Sequence, residues 1–314
     1  MSIARTLAIW IFAGLWITAG AQHVTPRSSA ILENQSNDLQ LRTPISSLGE
    51  VGIAAEPARL EYSIKAIRYA SIDNIPLSQL VIGLPSDQKV TTAMVIWLIK
   101  GNGHVILFDS GFHHDTFSKS FPLKEYIRPD EAVRLAGEEP NQITDIVISH
   151  AHWDHMGGLD LFPHAQVWIQ AEEYRYYTMT AWQPEGQHGG IDPHDVAELV
   201  RANTEGRLHL IGGDDVELFP GIRAYTGGHH TFASQYLRVD GKLPYVLASD
   251  NSYLYLNLST HRASATFSKS DEAANIANQD RMIKLAGAAD RVIPGHDMLQ
   301  FEKYHATGRV ATIQ

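Results

Sequence analysis

The sequence predicts an α/β domain built from two sheets with helices on the outside. Three observations lead to that class. Apolar, β-branched segments of strand length recur from about residue 60 onward, and helical segments are interspersed among them. Several of the strands also end on a histidine or an aspartate just where the chain turns. The 314 residues are 44% hydrophobic and 19% charged, which supports a sizeable core and excludes wholesale disorder.

In chain order, residues 1–21 read as a secretory signal. Arg5 precedes the apolar run LAIWIFAGLWI at 7–17, and Ala19-Gly20-Ala21 has the small-x-small form of a cleavage site. An uncleaved anchor is the alternative, although the run is short for a bilayer span. The expectation is export, to a periplasm or the exterior, with no stable membrane insertion once the signal is cleaved. Residues 22–59 carry Ser, Asn, Gln and Pro without periodicity and read as a tail or wrapping segment, leaving 60–314 as the domain. Strands are predicted at 62–69, 95–99, 105–109, 143–149, 166–169, 222–226, 235–239, 245–249 and 291–293. Helices are predicted at 130–136, after Pro129, and at 271–286, capped by Ser270. Residues 172–215, rich in Tyr, Trp, His and Gly, read as an insertion or lid in which Tyr176, Tyr177 and Trp182 line a groove or pack in the core.

The chain has no cysteine, which excludes disulfides, thiolate ligands and a cysteine nucleophile. A formal charge of -10 without a Lys/Arg block gives no bulk footprint for nucleic acid, so the expected partner is a small molecule. Oligomeric state is not legible.

The chemistry concentrates at His150-Ala151-His152-Trp153-Asp154-His155, three imidazoles and a carboxylate within six residues, after a buried strand and before Gly157-Gly158. These are donors for zinc, and also for iron, manganese or cobalt. Alternation on a tight loop lets His150 and His152 share one ion while Asp154 and His155 face a second. Two ions need further ligands, and three later strand ends supply them: His229 after Gly227-Gly228, Asp250 after Ala248-Ser249, and His296 after Pro294-Gly295. His230 competes with His229, and the Gly-His context selects His229.

This order of motifs, HxHxDH followed by a distant GH, a distant Asp and a final GH, resembles the metallo-β-lactamase superfamily over about residues 60–314. The resemblance implies an αββα sandwich of two mixed sheets flanked by helices. It also implies two divalent ions, most simply Zn²⁺. The first would lie on His150, His152 and His229, the second on Asp154, His155 and His296, with Asp250 bridging. Asp109 would orient a ligand imidazole. The complete ligand set is unlike the diiron oxidoreductases and the mononuclear persulfide dioxygenases of that superfamily. Tyr253, three residues after Asp250, is similar to the Asp-x-x-Tyr of the N-acyl homoserine lactonases, whose tyrosine reaches the substrate carbonyl. The implied activity is hydrolytic lactone opening, as in degradation of quorum signals, with Tyr253 as oxyanion donor and Asp154 as proton shuttle. Other carbonyl hydrolysis (ester, thioester, β-lactam) and phosphodiester hydrolysis are the alternatives on the same metals. Trp153 has two placements open, at the pocket mouth or packed beneath the metal loop.

Overall fold

Two long antiparallel strands, β1 (Ser63–Pro76) and β2 (Lys89–Gly101), found the larger sheet of the computed structural model, which describes residues 62–314. The predicted signal at 1–21 and the tail at 22–59 lie outside the described residues. β2 is apolar at consecutive positions because both of its faces are covered. Val95, Trp97 and Ile99 enter one hydrophobic cluster, whereas Met94, Ile96 and Leu98 enter another on the opposite face.

β3 (His104–Phe108), β4 (Leu123–Lys124), β5 (Asp145–Val147), β6 (Gln166–Gln170) and β7 (Leu208–Ile211) extend this sheet. The second sheet comprises β8 (Val216–Phe219), β9 (Ile222–Thr226), β10 (Gln235–Val239), β11 (Tyr245–Ser249) and β12 (Val292–Pro294). The last strands, β13 (His305–Thr307) and β14 (Val310–Thr312), return to the first sheet beside β1. Among the described residues this gives nine strands in one sheet and five in the other.

The helices are α1 (Asp115–Ser118), α2 (Pro129–Leu135), α3 (Trp153–Met156), α4 (Ala171–Thr178), α5 (Pro193–Thr204), α6 (Tyr255–Thr260), α7 (Glu272–Ala286) and α8 (Gln300–Lys303). Ala132 and Val133 of α2, Tyr177 of α4, and Leu199 and Ala202 of α5 pack on the outer face of the larger sheet. Met282 and Ala286 of α7 pack on Val246 and Ala248 of β11. The result is the expected αββα layering. No helix of the described residues is long and apolar enough to cross a membrane.

Three expectations shift. The strand predicted at 143–149 is hydrogen-bonded as β5 only over Asp145–Val147, because the chain then bends into the metal loop. α7 starts at Glu272 after a single 3-10 turn, and the turn is closed by Ser268, not Ser270: the Ser268 amide and hydroxyl both donate to the Asp271 carboxylate. The stretch 172–215 is no separate lid. It contributes most of α4, then α5 and β7, and β7 pairs with β6 in the sheet.

Strand direction positions the chemistry. β3 and β5 run parallel, so their carboxyl ends place Asp109 and Ser149-His150 side by side. β11 and β12 are also parallel and deliver Asp250 and His296 together. β9, antiparallel to β10 as β11 is, ends on the same edge with Gly227 to His230. The two sheets meet there: the Gln235 amide N–H donates to Ser149 O at 2.8 Å.

Candidate metal centre

Two clusters of buried donors converge at that edge. His150, His152, His230 and Asp250 form one, and Asp154, His155 and His296 form the other. In the first, His150 Nε2 and His230 Nε2 each lie 3.0 Å from His152 Nδ1. Zinc–nitrogen bonds of about 2.05 Å in a tetrahedron would set neighbouring donors roughly 3.3 Å apart, so this spacing matches one ion with little adjustment. Asp250 Oδ2 faces this group, 3.4 Å from His230 Nε2 and 3.7 Å from His150 Nε2. Its other oxygen, Oδ1, faces the second cluster, 2.9 Å from His296 Nε2 and 3.4 Å from His155 Nε2. Asp154 Oδ2 completes that cluster at 3.5 Å from His155 Nε2 and 3.8 Å from His296 Nε2. Asp250 therefore gives one oxygen to each cluster.

The donor set fits metal ions by its hydrogen bonding. The outer nitrogens are engaged: His150 Nδ1 with Ser149 Oγ, His155 Nδ1 with Asp109 Oδ2, His230 Nδ1 with Ala265 O and His296 Nδ1 with Ala93 O, each at 2.8 Å. Those bonds aim the Nε2 atoms inward. The inward Nε2 atoms of His155 and His296 and Oδ1 of Asp250 are buried and make no hydrogen bond of proper geometry, an arrangement costly without a cation. Asp109 holds the floor. Fully buried at a left-handed φ of 66°, it accepts from Ser149 N at 2.7 Å, Ser149 Oγ at 2.9 Å, Ser249 Oγ at 3.1 Å and His155 Nδ1. Gly295 allows Asp250 to approach, since a Cβ there would lie 2.6 Å from Asp250 Oδ1.

The clusters differ electrostatically. Burial, and then the neighbouring imidazoles, hold His150 and His152 well below the ordinary histidine range; burial also lowers His230. Burial opposes charge on His155 and His296 as well, but Asp250 and Asp154 outweigh it and raise both. Burial pushes the Tyr253 phenol well above its usual range, with Asp250 and Asp154 adding to the effect, so the hydroxyl keeps its proton.

Of the sequence-predicted residues, His150, His152, Asp154, His155, Asp250 and His296 come together. His229 does not. It is exposed, at a left-handed φ of 54°, and its Nδ1 faces Phe232 O at 3.1 Å, whereas His230 is buried in the first cluster. Gly227 and Gly228 serve another purpose: a Cβ on Gly228 would lie 2.3 Å from Asn275 Cα, so the glycines let the loop close on α7. Tyr253 is fully buried in the loop between β11 and α6, not in a strand, with its ring 5.4 Å from His230 and 5.6 Å from His296. Trp153 combines both expected placements. It packs on Phe112, Phe117 and Phe121, and it walls a pocket bounded also by Asp154 and His296. Tyr177 is core, Tyr176 stacks on Phe232 at 4.1 Å, and Trp182 stacks on His188.

Sequence reasoning missed Glu173. Wholly buried on α4, its carboxylate accepts from Ala151 N at 2.9 Å, Thr231 Oγ1 at 2.6 Å and Ala233 N at 2.6 Å. It ties the loop of His150 and His152 to the loop of His230. A glutamate on a short amphipathic helix carries no signal of such a role.

Residues 91–253, just over half of the chain, match the metallo-beta-lactamase superfamily. N-acyl homoserine lactonase AiiB of Agrobacterium fabrum is 23% identical over 190 residues, spanning 55% of this chain and 67% of that protein. An N-acyl homoserine lactonase of Bacillus thuringiensis is 25% identical over 197 residues, spanning 61% and 72%. Among solved structures, an N-acyl homoserine lactone hydrolase with N-hexanoyl-L-homoserine at its catalytic metal centre superposes with a TM-score of 0.63 at 19% identity, covering 79% of this chain and 98% of that one. AidC, a dizinc quorum-quenching lactonase, superposes at 0.58 with 18% identity, over 76% and 89%. At these identities the structural likeness establishes the fold.

Proposed function

The chain belongs to the metallo-beta-lactamase superfamily, and on that premise we propose that it is a metal-dependent hydrolase that opens lactone rings, with N-acyl homoserine lactones as its substrate class. The observation that carries the hydrolase reading is Asp250, whose two oxygens serve two buried donor clusters. His150, His152 and His230 would hold one ion, Asp154, His155 and His296 the other, and Asp250 both. Two such ions, Zn²⁺ being the simplest match to the donors, supply Lewis acidity that acidifies water toward neutrality and polarises a carbonyl.

The chain's own residues supply the rest. Tyr253 lies against both clusters with its proton retained, a phenol donor for the oxyanion that develops when a lactone carbonyl is attacked. Asp154, at the pocket wall, would take the proton that the attacking water gives up and pass it to the leaving alkoxide. The small, partly open pocket beside it is walled by Ile72, Leu80, Met94, Phe121 and Trp153, apolar side chains of the kind that contact an acyl chain. An acyl chain lying along this apolar wall would bring the lactone ring to Asp154 and His296. The likeness to lactonases of Agrobacterium fabrum and Bacillus thuringiensis supports the same substrate class.

A proton-release assay on zinc-loaded protein tests this. Acyl homoserine lactones should be hydrolysed with rate constants well above those for nitrophenyl phosphodiesters, thioesters and β-lactams. Faster turnover of any of those three would replace the substrate assignment while leaving the hydrolase reading in place.

A further inference from the structure

Outside the dinuclear centre, a second group of histidines and carboxylates gathers where the loop after β3 meets α5. His113 and His114 come from that loop, Asp160 from the turn after α3, and His194 and Asp195 from the first turn of α5. The His114 ring lies 3.9 Å from that of His113 and 4.0 Å from that of His194. His113 Nε2 is matched with Asp160 Oδ1 at 2.7 Å, so that pair is satisfied. His114 and Asp195 are not. His114 Nε2 is buried without a hydrogen-bond partner. Asp195 is only 2% exposed, and its carboxylate has no hydrogen bond or ion pair among the described residues. One donor atom each from His114, His194 and Asp195 falls within a span of 4.8 Å.

We propose that His114, His194 and Asp195 form a third metal site, for a single zinc-class divalent ion, separate from the centre on His150 to His296. Two imidazole nitrogens and a carboxylate oxygen are borderline-to-hard donors of the kind that hold zinc, and the exposed His194 edge leaves a fourth position to water. A cation answers the two features the protein leaves unmet, a buried nitrogen without a partner and a buried carboxyl with no cationic neighbour. Burial, with Asp192, Asp160 and Glu198 nearby, pushes the Asp195 carboxyl up to about 8, so without an ion it keeps a proton that a bound metal would displace. The ion would join the loop after β3 to the first turn of α5. The loop it anchors carries Phe112, Phe117 and Phe121, the rings against which Trp153 packs. The site therefore braces the aromatic wall of the pocket. It stands independently of the hydrolase reading.

Metal analysis of the full-length protein equilibrated with Zn²⁺ alone tests the site. Wild type should hold three zinc ions per chain, whereas His114→Ala and Asp195→Asn should hold two. A variant lacking His150 and His155 should lose zinc from the main centre and keep the ion at Asp195, which separates failure of one site from failure of the other. Asp195→Asn changes little in shape and removes an uncompensated carboxyl, so its metal-free form should melt no lower than metal-free wild type. Once two ions are bound, further Zn²⁺ should raise the melting temperature of wild type and not that of Asp195→Asn. Saturation of wild type at two ions, retention of three by both variants, or an equal thermal response would overturn the proposal.

Discussion

Tyr253 is the residue on which the choice of substrate turns. Its ring packs edge-on against His230, and burial, reinforced by the carboxylates of Asp250 and Asp154, keeps its hydroxyl protonated. Such a group can donate to an oxyanion without acting as a ligand. Tyr253→Phe should therefore lower lactone turnover by on the order of 100-fold, the scale for losing one oxyanion donor, with metal content unchanged. Equal loss of bound zinc would make it a structural residue. The neighbouring choice between His229 and His230 shows where the sequence stops being informative. Six of the seven residues predicted as ligands converge in the structure, and they were legible because each follows an apolar strand or lies in one dense motif. In Gly227-Gly228-His229-His230, two histidines share the strand end, and only the left-handed φ at His229 turns one out and the other in.

At the scale of elements, α4 is held to the site by Glu173. Its carboxylate accepts from both metal-bearing loops, so the helix fixes the distance between His152 and His230. Glu173→Ala leaves a buried amide, a half-buried amide and a buried hydroxyl without acceptors, and the expected loss of stability in denaturant unfolding is on the order of 3 kcal/mol. Zinc affinity should fall with it. A change below about 0.5 kcal/mol, the range of ordinary surface substitutions, would reduce Glu173 to bystander status. Nine strands were readable from apolar runs, although β1 and β2 run well past the predicted 62–69 and 95–99, and the short β4, β7, β8, β13 and β14 were not read. The stretch 172–215 was not readable, because aromatic and glycine-rich composition is shared by lids and by short helices packed on a sheet. Its place in the core depends on partners remote in sequence, such as Ala151 and Thr231.

At the scale of the whole molecule, the two sheets bring together clusters with opposite proton affinities. At neutral pH His150, His152 and His230, held below their ordinary range, are neutral before metal arrives. His155 and His296, raised by Asp250 and Asp154 against the effect of burial, hold their protons to higher pH, and an ion must displace them. Loading the first cluster should release almost no protons, and loading the second should release them. The affinity of the ion on Asp154, His155 and His296 should then fall by about tenfold per pH unit for each proton displaced as pH drops toward 6. Zinc titrations in weakly buffered solution measure this directly, and proton release of equal size at both steps would contradict it.

The account rests most on two ions sharing Asp250 at the junction of the sheets. Anomalous diffraction at the zinc edge from crystals of the loaded protein is the most direct measurement of that claim. It should place two peaks at this centre, one bonded to His150, His152 and His230, the other to Asp154, His155 and His296, with Asp250 reaching both. A single peak there, or a peak coordinated by His229 in place of His230, would contradict it.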